Sequence, residues 1–435
     1  MKLEINNFSK IKKADIQING ITVICGDNNT GKSTVGKILF SIFDSNKDKY
    51  QKIKEELFKE ITSIFINNNI DVCQYEHYIS KKILKEVYSI IKEINYFKNT
   101  DNVSIDSIKN IVQKIFDYSF YDFLKNTSTN KIETYDNIID NISNDIEKTL
   151  RNPYNKIMQE VSKRYFNEIF KNQINNLHQK ESTASLELEI KNKKMNIDFK
   201  NNECIKFEEE FDIINNIYYI DNPFILDEIN NNKDKYNLIT KKLIDSLTKD
   251  YTENMYRNVF SAVKNNDIIQ KLEELLKNIT TGEIIKNNGL YYLKEDNIDI
   301  VFDNLSAGLK SFVIIKMLLS NTSLKENDIL ILDEPEIHLH PKWQLIYAEL
   351  IVLLHKYLNL IVIITSHSPY FVDSINRYSK LHKIDDKVNF YLSELEKDNK
   401  NTIIKNVNEN IDLIYKKMYE PINTLENMKY DEDIE

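Results

Sequence analysis

Cysteine, proline and glycine are scarce in this chain of 435 residues, which contains three, six and seven of them respectively. The cysteines stand far apart, at positions 25, 73 and 204. Their spacing therefore excludes a disulfide framework and a zinc site. No stretch approaches the roughly 18 apolar residues that a membrane-spanning helix needs, and the polar residues after Met1 do not form a secretory signal. We therefore expect a cytoplasmic protein with reduced cysteines and no membrane partner.

Arginine is also rare, because only four of the 58 basic side chains are arginine, and the formal net charge is −9. Coating nucleic acid along its length requires dense positive charge. Bidentate reading of guanine favours arginine over lysine. Charge and composition together exclude a protein that binds nucleic acid over its whole surface, but they allow a local lysine patch.

Apolar runs alternate with helical periodicity along the chain, which predicts an α/β fold. The run from Ile21 to Cys25 stops at a glycine, as a buried parallel strand does, and long amphipathic stretches interrupt this rhythm elsewhere. The pattern predicts a mostly parallel sheet with two large helical insertions. The predicted boundaries are head residues 1–44, a helical insertion at 45–183, head strands at 184–224, a second helical insertion at 225–281, the rest of the head at 282–390, and a C-terminal extension at 391–435 whose acidic tail, Asp431–Glu435, is expected to be disordered.

The most specific motif follows the strand that ends at Cys25 and opens a predicted helix. It reads Gly26-Asp27-Asn28-Asn29-Thr30-Gly31-Lys32-Ser33 and matches the P-loop pattern in its required context. Its glycines let backbone N–H groups wrap phosphates, and the helix N-terminus adds a positive dipole. Lys32 is expected to reach the β- and γ-phosphates, and the Ser33 hydroxyl to bind Mg²⁺. The predicted ATP-binding residues are Gly26, Asp27, Asn28, Asn29, Thr30, Gly31, Lys32, Ser33 and Thr34.

A pair of carboxylates ends the apolar strand Ile329–Leu332. An acidic pair after a strand is common and often forms a turn that has no catalytic role. Combined with a P-loop, it fits the Walker B arrangement, in which Asp333 holds Mg²⁺ and Glu334 orients the attacking water as a base.

Two further segments offer polar groups at strand or helix ends. Ser306 and Gly308 precede a predicted helix, where they present a hydroxyl and bare N–H groups to an anion. Ser306 is equally well explained as an N-cap when the segment is considered alone. His367 ends a strand, and a single histidine is more often a structural hydrogen-bonding group than a catalyst. Their positions relative to the P-loop and to Asp333 favour contact with a nucleotide.

The four motifs, in this order and with a long insertion, resemble those of ABC ATPases of the RecF/SMC and OLD-like class. The segment Asp333–Pro341, followed by Trp343-Gln344, is most similar to that of the OLD, PtuA (Septu) and AriA (PARIS) anti-phage defence ATPases. The resemblance covers about residues 1–44 and 200–390. It implies an ABC-ATPase head, that is, a P-loop NTPase sheet, that hydrolyses ATP to ADP and phosphate.

The resemblance also assigns roles to the weaker motifs. Ser306 and Gly308 would be the signature motif, which contacts the γ-phosphate of ATP held by the other protomer of a head-to-tail dimer or higher homo-oligomer. Glu334, Lys32 and His367 would be catalytic, with His367 as the switch histidine that senses the γ-phosphate.

The sequence matches the family pattern at one further position and has no clear match at another. The His338 and His340 pair would lie in the turn that faces the dimer partner, which is the counterpart of the D-loop, and not in a metal site. The Q-loop glutamine has no clear counterpart, and Asp221 or Asn222 takes its place after the strand ending at Ile220.

The partners implied by the resemblance are effector proteins. Gly31 and Ser306 are 275 positions apart, much farther than in transporter ABC domains, which argues against a transporter. After His367 the sequence has neither the acidic set of a TOPRIM nuclease nor an HNH motif. We therefore expect a separately encoded nuclease effector, with DNA or a phage protein as further candidate partners. Two alternatives stay open, a RecF-like DNA repair and recombination ATPase and an ATP-binding scaffold with negligible turnover.

Overall fold

The computed structural model of the protein forms two compact units. It describes residues 1–67, 132–151, 154–179, 181–229, 236–249, 282–287, 289–295, 298–321, 323–397 and 399–432, with a few positions between 105 and 113 and at 272 and 276. The first unit combines Met1–Lys47 with Val161–Glu435, and the second is Asp48–Glu160. All the predicted nucleotide-binding motifs belong to the first unit.

Strands of the first unit make up two sheets. In chain order they are β1 (Lys2–Phe8), β2 (Ile11–Gln17), β3 (Ile21–Gly26), β4 (Ala184–Ile190), β5 (Lys193–Lys200), β6 (Glu203–Glu209), β7 (Ile217–Ile220), β8 (Glu283–Asn287), β9 (Leu290–Glu295), β10 (Ile298–Val301), β11 (Ile329–Asp333), β12 (Ile361–Ser366), β13 (Val388–Leu395) and β14 (Thr402–Asn406). The large sheet has eleven strands in the order β6-β5-β4-β1-β2-β14-β13-β3-β12-β11-β7, and the small one has the order β10-β9-β8.

Helices cover the large sheet of the first unit and form the described part of the second. Those of the first unit are α1 (Lys32–Asn46), α5 (Ile225–Glu228), α6 (Leu238–Leu247), α7 (Ala307–Ser320), α8 (Pro341–Leu358), α9 (Pro369–Leu381) and α10 (Asp412–Glu432); α2 (Lys49–Asn67) and α3 (Ile132–Leu150) belong to the second, and α4 (Tyr154–Phe170) spans the boundary. Within the described residues, no helix is long and apolar enough to cross a membrane.

The central strands of the large sheet position the site. β3 is buried along its whole length, and β11 is buried up to Asp333, as expected for parallel strands covered by helices on both faces. The strands β11, β12 and β3 are parallel neighbours, with Asp333 opposite Thr365 and Ser366 opposite Cys25. Because parallel strands end at the same edge, the P-loop and the segments after β11 and β12 emerge side by side.

The expectation of a mostly parallel sheet is wrong for one half of the large sheet. All neighbours in the run β13-β3-β12-β11-β7 are parallel. The strands β2, β1, β4, β5 and β6 pair in antiparallel fashion, because short connections join β1 to β2 and β4 to β5 and β6, and only antiparallel strands can be linked that way.

The C-terminal residues do more than extend the head. The predicted boundary at 390 falls inside β13, which pairs with β3, and β14 pairs with β13 and β2. The expected disorder of the acidic tail does not apply to its first two residues, because α10 runs to Glu432; residues 433–435 lie outside the described residues. Most of the predicted second helical insertion and part of the first also lie outside them.

Candidate nucleotide-binding site

The P-loop forms the turn between β3 and α1. Asn29 and Gly31 have positive φ angles of 64° and 81°, a backbone conformation that glycine and asparagine adopt most readily. The buried Lys32 amine donates to the carbonyl oxygens of Gly26 and Asp27 at 2.9 and 2.8 Å. The side chain therefore folds back over the loop, where phosphates bind in P-loop proteins.

Further hydrogen bonds hold the loop in this shape. The Thr30 hydroxyl donates to the Asp27 carbonyl at 2.7 Å, and the Thr34 amide donates to the Gly31 carbonyl at 3.1 Å. Asp27, Asn28 and Asn29 are exposed. The rim of the loop is thus open to a ligand, while its base is fixed.

Strand β13 supports the loop from behind, which the sequence did not indicate. The Ser393 hydroxyl donates to the Thr30 carbonyl at 2.7 Å. Gly26 has a φ of 150°, and a Cβ at this position would lie 2.3 Å from the Ser393 carbonyl oxygen. Only glycine fits here, because any side chain would collide with the backbone of β13.

Asp333 is the point at which the distant motifs meet. Its Oδ1 accepts from the Ser33 hydroxyl at 2.8 Å and from the Thr365 hydroxyl, and its Oδ2 accepts from the Tyr219 hydroxyl at 2.6 Å. Ser33 and Asp333 are 300 positions apart in the chain. The P-loop hydroxyl and the Walker B carboxylate therefore lie together, as the motifs predicted.

Tyr219, on β7, is a site residue that the motif search missed. Burial raises its pKa well above the usual value, and the negative charge of Asp333 raises it further, so the hydroxyl stays a donor. Its ring packs edge-on against Phe40 of α1 at 6.2 Å between centroids. The only sequence signal was its place in the strand before Asp221.

Glu334 has an unusual backbone that directs its carboxylate into the site. Its φ is 51°, and its amide donates to both the carbonyl and the hydroxyl oxygen of Thr365 at 3.1 Å. A non-glycine residue in the left-handed region is strained, and such strain often marks functional positions. The Glu334 Oε1 lies 3.6 Å from Lys32 Nζ and 3.6 Å from Nδ1 of the exposed His367. The predicted base, P-loop lysine and switch histidine therefore form one cluster.

Asp221 lies next to this cluster. It follows β7, which pairs with β11 with Ile220 opposite Leu332. Desolvation raises the pKa of Asp221, and the charge of Asp333 adds to the rise, whereas Lys37 opposes it. An acidic group therefore lies beside Asp333 at the position of a Q-loop, and the expectation that Asp221 or Asn222 takes the place of the glutamine stays a prediction. Asn222 instead accepts from the Phe224 amide.

Ser306 and Gly308 belong to a separate group of residues. Ser306 caps α7 by accepting from the Leu309 amide at 3.3 Å, and a Cβ on Gly308 would lie 3.0 Å from the His338 carbonyl oxygen. No hydrogen bond or ion pair within the described part of the chain joins these two residues to the P-loop.

The turn that contains the two histidines packs against the start of α7. His338 meets the Phe224 ring edge-on at 5.3 Å, and Lys310 of α7 pairs with Asp227 at 2.5 Å while its amine lies over the same ring. The Nδ1 of His340 accepts from the Lys342 amide, so this side chain caps α8. In this arrangement His338 contributes to the packing of the turn, and His340 caps α8.

The arrangement fits Mg²⁺ and ATP. The Ser33 hydroxyl and the Asp333 carboxylate are oxygen donors, the type that Mg²⁺ prefers, and they lie within hydrogen-bonding distance of each other. The P-loop offers the N-terminus of α1 and a buried amine, which suit the phosphates. Fold and site together define a P-loop ATPase head of the ABC type.

Comparison with known proteins identifies the family. Residues 1–372 match the model of the AAA ATPase domain family, so the chain belongs to that family. Among curated proteins, it is similar to Endonuclease GajA of Bacillus cereus (strain HuB5-5), with 23% identity over 413 residues that cover 85% of this chain and 55% of the relative. The chain therefore spans just over half the length of this relative.

The chain is also similar to solved structures of SMC heads. The SMC head domain from Thermotoga maritima is 12% identical with a TM-score of 0.37, covering 93% of this chain and 98% of that one. The SmcHead bound to the C-winged helix domain of ScpA is 12% identical with a TM-score of 0.42, covering 93% of this chain and 96% of that one.

We expect Tyr219→Phe to destabilise the nucleotide-free protein by about 1.5–3 kcal/mol, because it deprives a carboxylate of a buried donor. Tyr218→Phe is the matched control, since the Tyr218 hydroxyl donates to the neutral Ser323 carbonyl and its loss costs about 0.5–1.5 kcal/mol. Chemical denaturation of both variants measures the difference. Equal losses of unfolding free energy in the two variants would contradict a special role for the Tyr219–Asp333 hydrogen bond.

Proposed function

We propose that this chain hydrolyses ATP to ADP and phosphate at a site that two copies complete together. The observation that carries the proposal is the hydrogen bond between Ser33 and Asp333, which are 300 positions apart, with Lys32, Glu334 and His367 gathered around it. In P-loop ATPases catalysis consists mostly of positioning and electrostatic stabilisation. The cluster contains a group for each of these tasks.

Each residue has a task that follows from its place. The N–H groups of residues 26–34 and the Lys32 amine hold the β- and γ-phosphates, and Glu334 orients the attacking water. The exposed ring of His367 meets the γ-phosphate. Ser33 and Asp333 would hold Mg²⁺, which would supply neutralisation of the charge on the phosphates, and Asp221 lies close by.

The second copy supplies the signature residues. Ser306 is exposed at the N-terminus of α7, where its hydroxyl and the helix dipole suit an anion. No described hydrogen bond joins it to the P-loop of its own chain. A head-to-tail dimer brings Ser306 and Gly308 of one copy over the ATP of the other, and ATP becomes part of the interface.

The biological role we propose is control of a nuclease in anti-phage defence. It is supported by the resemblance of the Asp333–Pro341 segment to defence ATPases and by similarity to a curated endonuclease, of which this chain spans just over half. The nuclease is a separately encoded effector, which ATP-dependent dimerisation holds or releases.

The dimer proposal is tested by the assembly state with and without ATP. In mass photometry, the wild type is expected to shift towards dimers or larger assemblies with ATP and Mg²⁺, and Ser306→Arg to stay monomeric because the long cation displaces the signature contact. Ser306→Thr keeps a hydroxyl and a helix cap and is the matched control. An ATP-independent mass distribution in the wild type would contradict the proposal.

A further inference from the structure

A buried carboxylate, Glu336, lies two residues beyond Glu334. Glu336 is 3% exposed. Its Oε1 accepts from the Ser366 hydroxyl at 2.7 Å and from the His367 amide at 2.9 Å. Its Oε2 is buried and has no hydrogen-bond partner among the described residues.

A side chain in this state is costly to the fold. Taking a carboxylate out of water disfavours its charged form, and an unsatisfied buried oxygen adds to the penalty. Burial accordingly raises the pKa of Glu336, while the hydrogen bonds from Ser366 and His367 lower it. An apolar residue would avoid this cost, so the function of the site is the natural place to look for a compensating benefit.

The compensating benefit that we infer is the placement of the His367 ring. The Nδ1 of His367 is 3.6 Å from Glu336 Oε1 and equally far from Glu334 Oε1. Glu336 thus accepts a hydrogen bond from the backbone of His367 and also lies near its ring. A carboxylate beside one ring nitrogen favours one orientation of the imidazole.

A second connection runs from the same turn to the same loop. The Gln344 amide donates to the Glu336 carbonyl at 3.4 Å and to the Leu339 carbonyl at 3.1 Å. Its Oε1 accepts from the Ser368 hydroxyl at 2.8 Å. Hydrogen bonds from Glu336 and Gln344 therefore connect the turn from Pro335 to His340 with the loop after β12 at two points.

We propose that Glu336 is a positioning residue for ATP hydrolysis, which orients the His367 ring towards the γ-phosphate and ties it to the turn that packs against the signature helix α7. The proposal rests on the proposed ATPase function. In it, His367 serves the ATP of its own chain, whereas Gly308, packed under His338 of the same turn, serves the ATP of the partner. The turn that contains Glu336 therefore contacts both residues.

The test compares Glu336→Gln with wild type in steady-state ATP hydrolysis. Glutamine keeps an oxygen that accepts from Ser366 and His367, but it removes the charge that faces Nδ1 and can present an NH₂ group there instead. We expect kcat to fall about 10- to 100-fold, the range seen when a carboxylate that orients a metal-bound histidine is removed, with little change in the KM for ATP. Thermal stability should be retained or raised, because a buried charge is lost.

A double-mutant cycle separates positioning from a merely structural role. If Glu336 acts through the ring, adding Glu336→Gln to His367→Ala lowers kcat no further. Glu349→Gln is the matched control, because Glu349 of α8 also pairs with a partly buried histidine, His382, which follows α9, at 3.1 Å; its kcat should equal that of wild type.

Two results would overturn the role of Glu336. One is an unchanged kcat in Glu336→Gln, and the other is a loss that adds in full to that of His367→Ala. Failure of the proposed ATPase function itself looks different, because the wild type would then hydrolyse no ATP above the level of Lys32→Met.

Discussion

Glu334→Gln is expected to lower ATP turnover by about a hundred- to ten-thousandfold, the range for loss of a general base, while ATP binding is retained. Glutamine can occupy the same backbone conformation and keeps the contact distance to Lys32 and His367, but it cannot accept a proton from water. Because hydrolysis is blocked after ATP has joined two heads, the variant should also accumulate as an ATP-bound dimer. Single-turnover hydrolysis and mass photometry measure the two effects.

The control for this variant is the same substitution on the surface. Glu394→Gln removes a partly exposed carboxylate that pairs with the exposed Lys405 at 3.3 Å across the β13–β14 hairpin, and it should leave turnover unchanged. Wild-type turnover in Glu334→Gln would show that another group orients the water.

Lys32→Met is expected to weaken ATP binding by about 30- to several-thousandfold, which corresponds to about 2–5 kcal/mol for the loss of one partner of a buried charged contact. The methionine chain fills the same space, so the fold should be kept. The amine is nearly inaccessible and is held by two loop carbonyls, so its position over the loop is fixed. Equilibrium binding of a fluorescent ATP analogue gives the affinity.

Lys12→Met is the control for the loss of a lysine charge outside the P-loop. Lys12 is half-exposed and pairs with Glu396 at 2.9 Å, so its loss should change ATP affinity less than twofold. If both lysine variants bound ATP like the wild type, the P-loop assignment would be wrong.

Local patterns predicted the central part of the site well. The apolar run of β3 ending at Gly26, the helix beginning at Lys32 and the carboxylates after β11 are all encoded within short segments. Their meeting point followed from one rule, because parallel strands of a sheet end at the same edge. The contact between Ser33 and Asp333 is the structural expression of that rule.

Contacts between distant segments could not be predicted in the same way. Ser393 supports a loop 363 positions earlier in the chain, and nothing in the sequence around it forms a motif. Tyr219 read as an ordinary strand residue, and its bond to Asp333 depends on which strand lies beside β11. The burial of Glu336 has no local signal, because carboxylates are rarely buried.

The C-terminal part of the chain was misjudged for a related reason. β13 pairs with β3 across more than 360 positions, and such pairing leaves only a short apolar stretch as a local signal. Composition suggested an acidic tail, but α10 begins well before it and places Lys417 3.1 Å from Asp27 of the P-loop. The net charge of a segment does not show which residues that segment packs against.

The shared site can be tested by mixing two inactive variants. Lys32→Ala removes the P-loop lysine, and Ser306→Arg blocks the signature contact, so each variant alone should hydrolyse almost no ATP. In a mixed dimer one site contains both defects, and the other contains neither. If ATP is hydrolysed between two copies, equal mixing should restore up to about half of wild-type turnover, since neither variant dimerises well alone and each mixed dimer has one intact site of two. If the mixture stays as inactive as its components, each chain must complete its own site and the head-to-tail model is wrong.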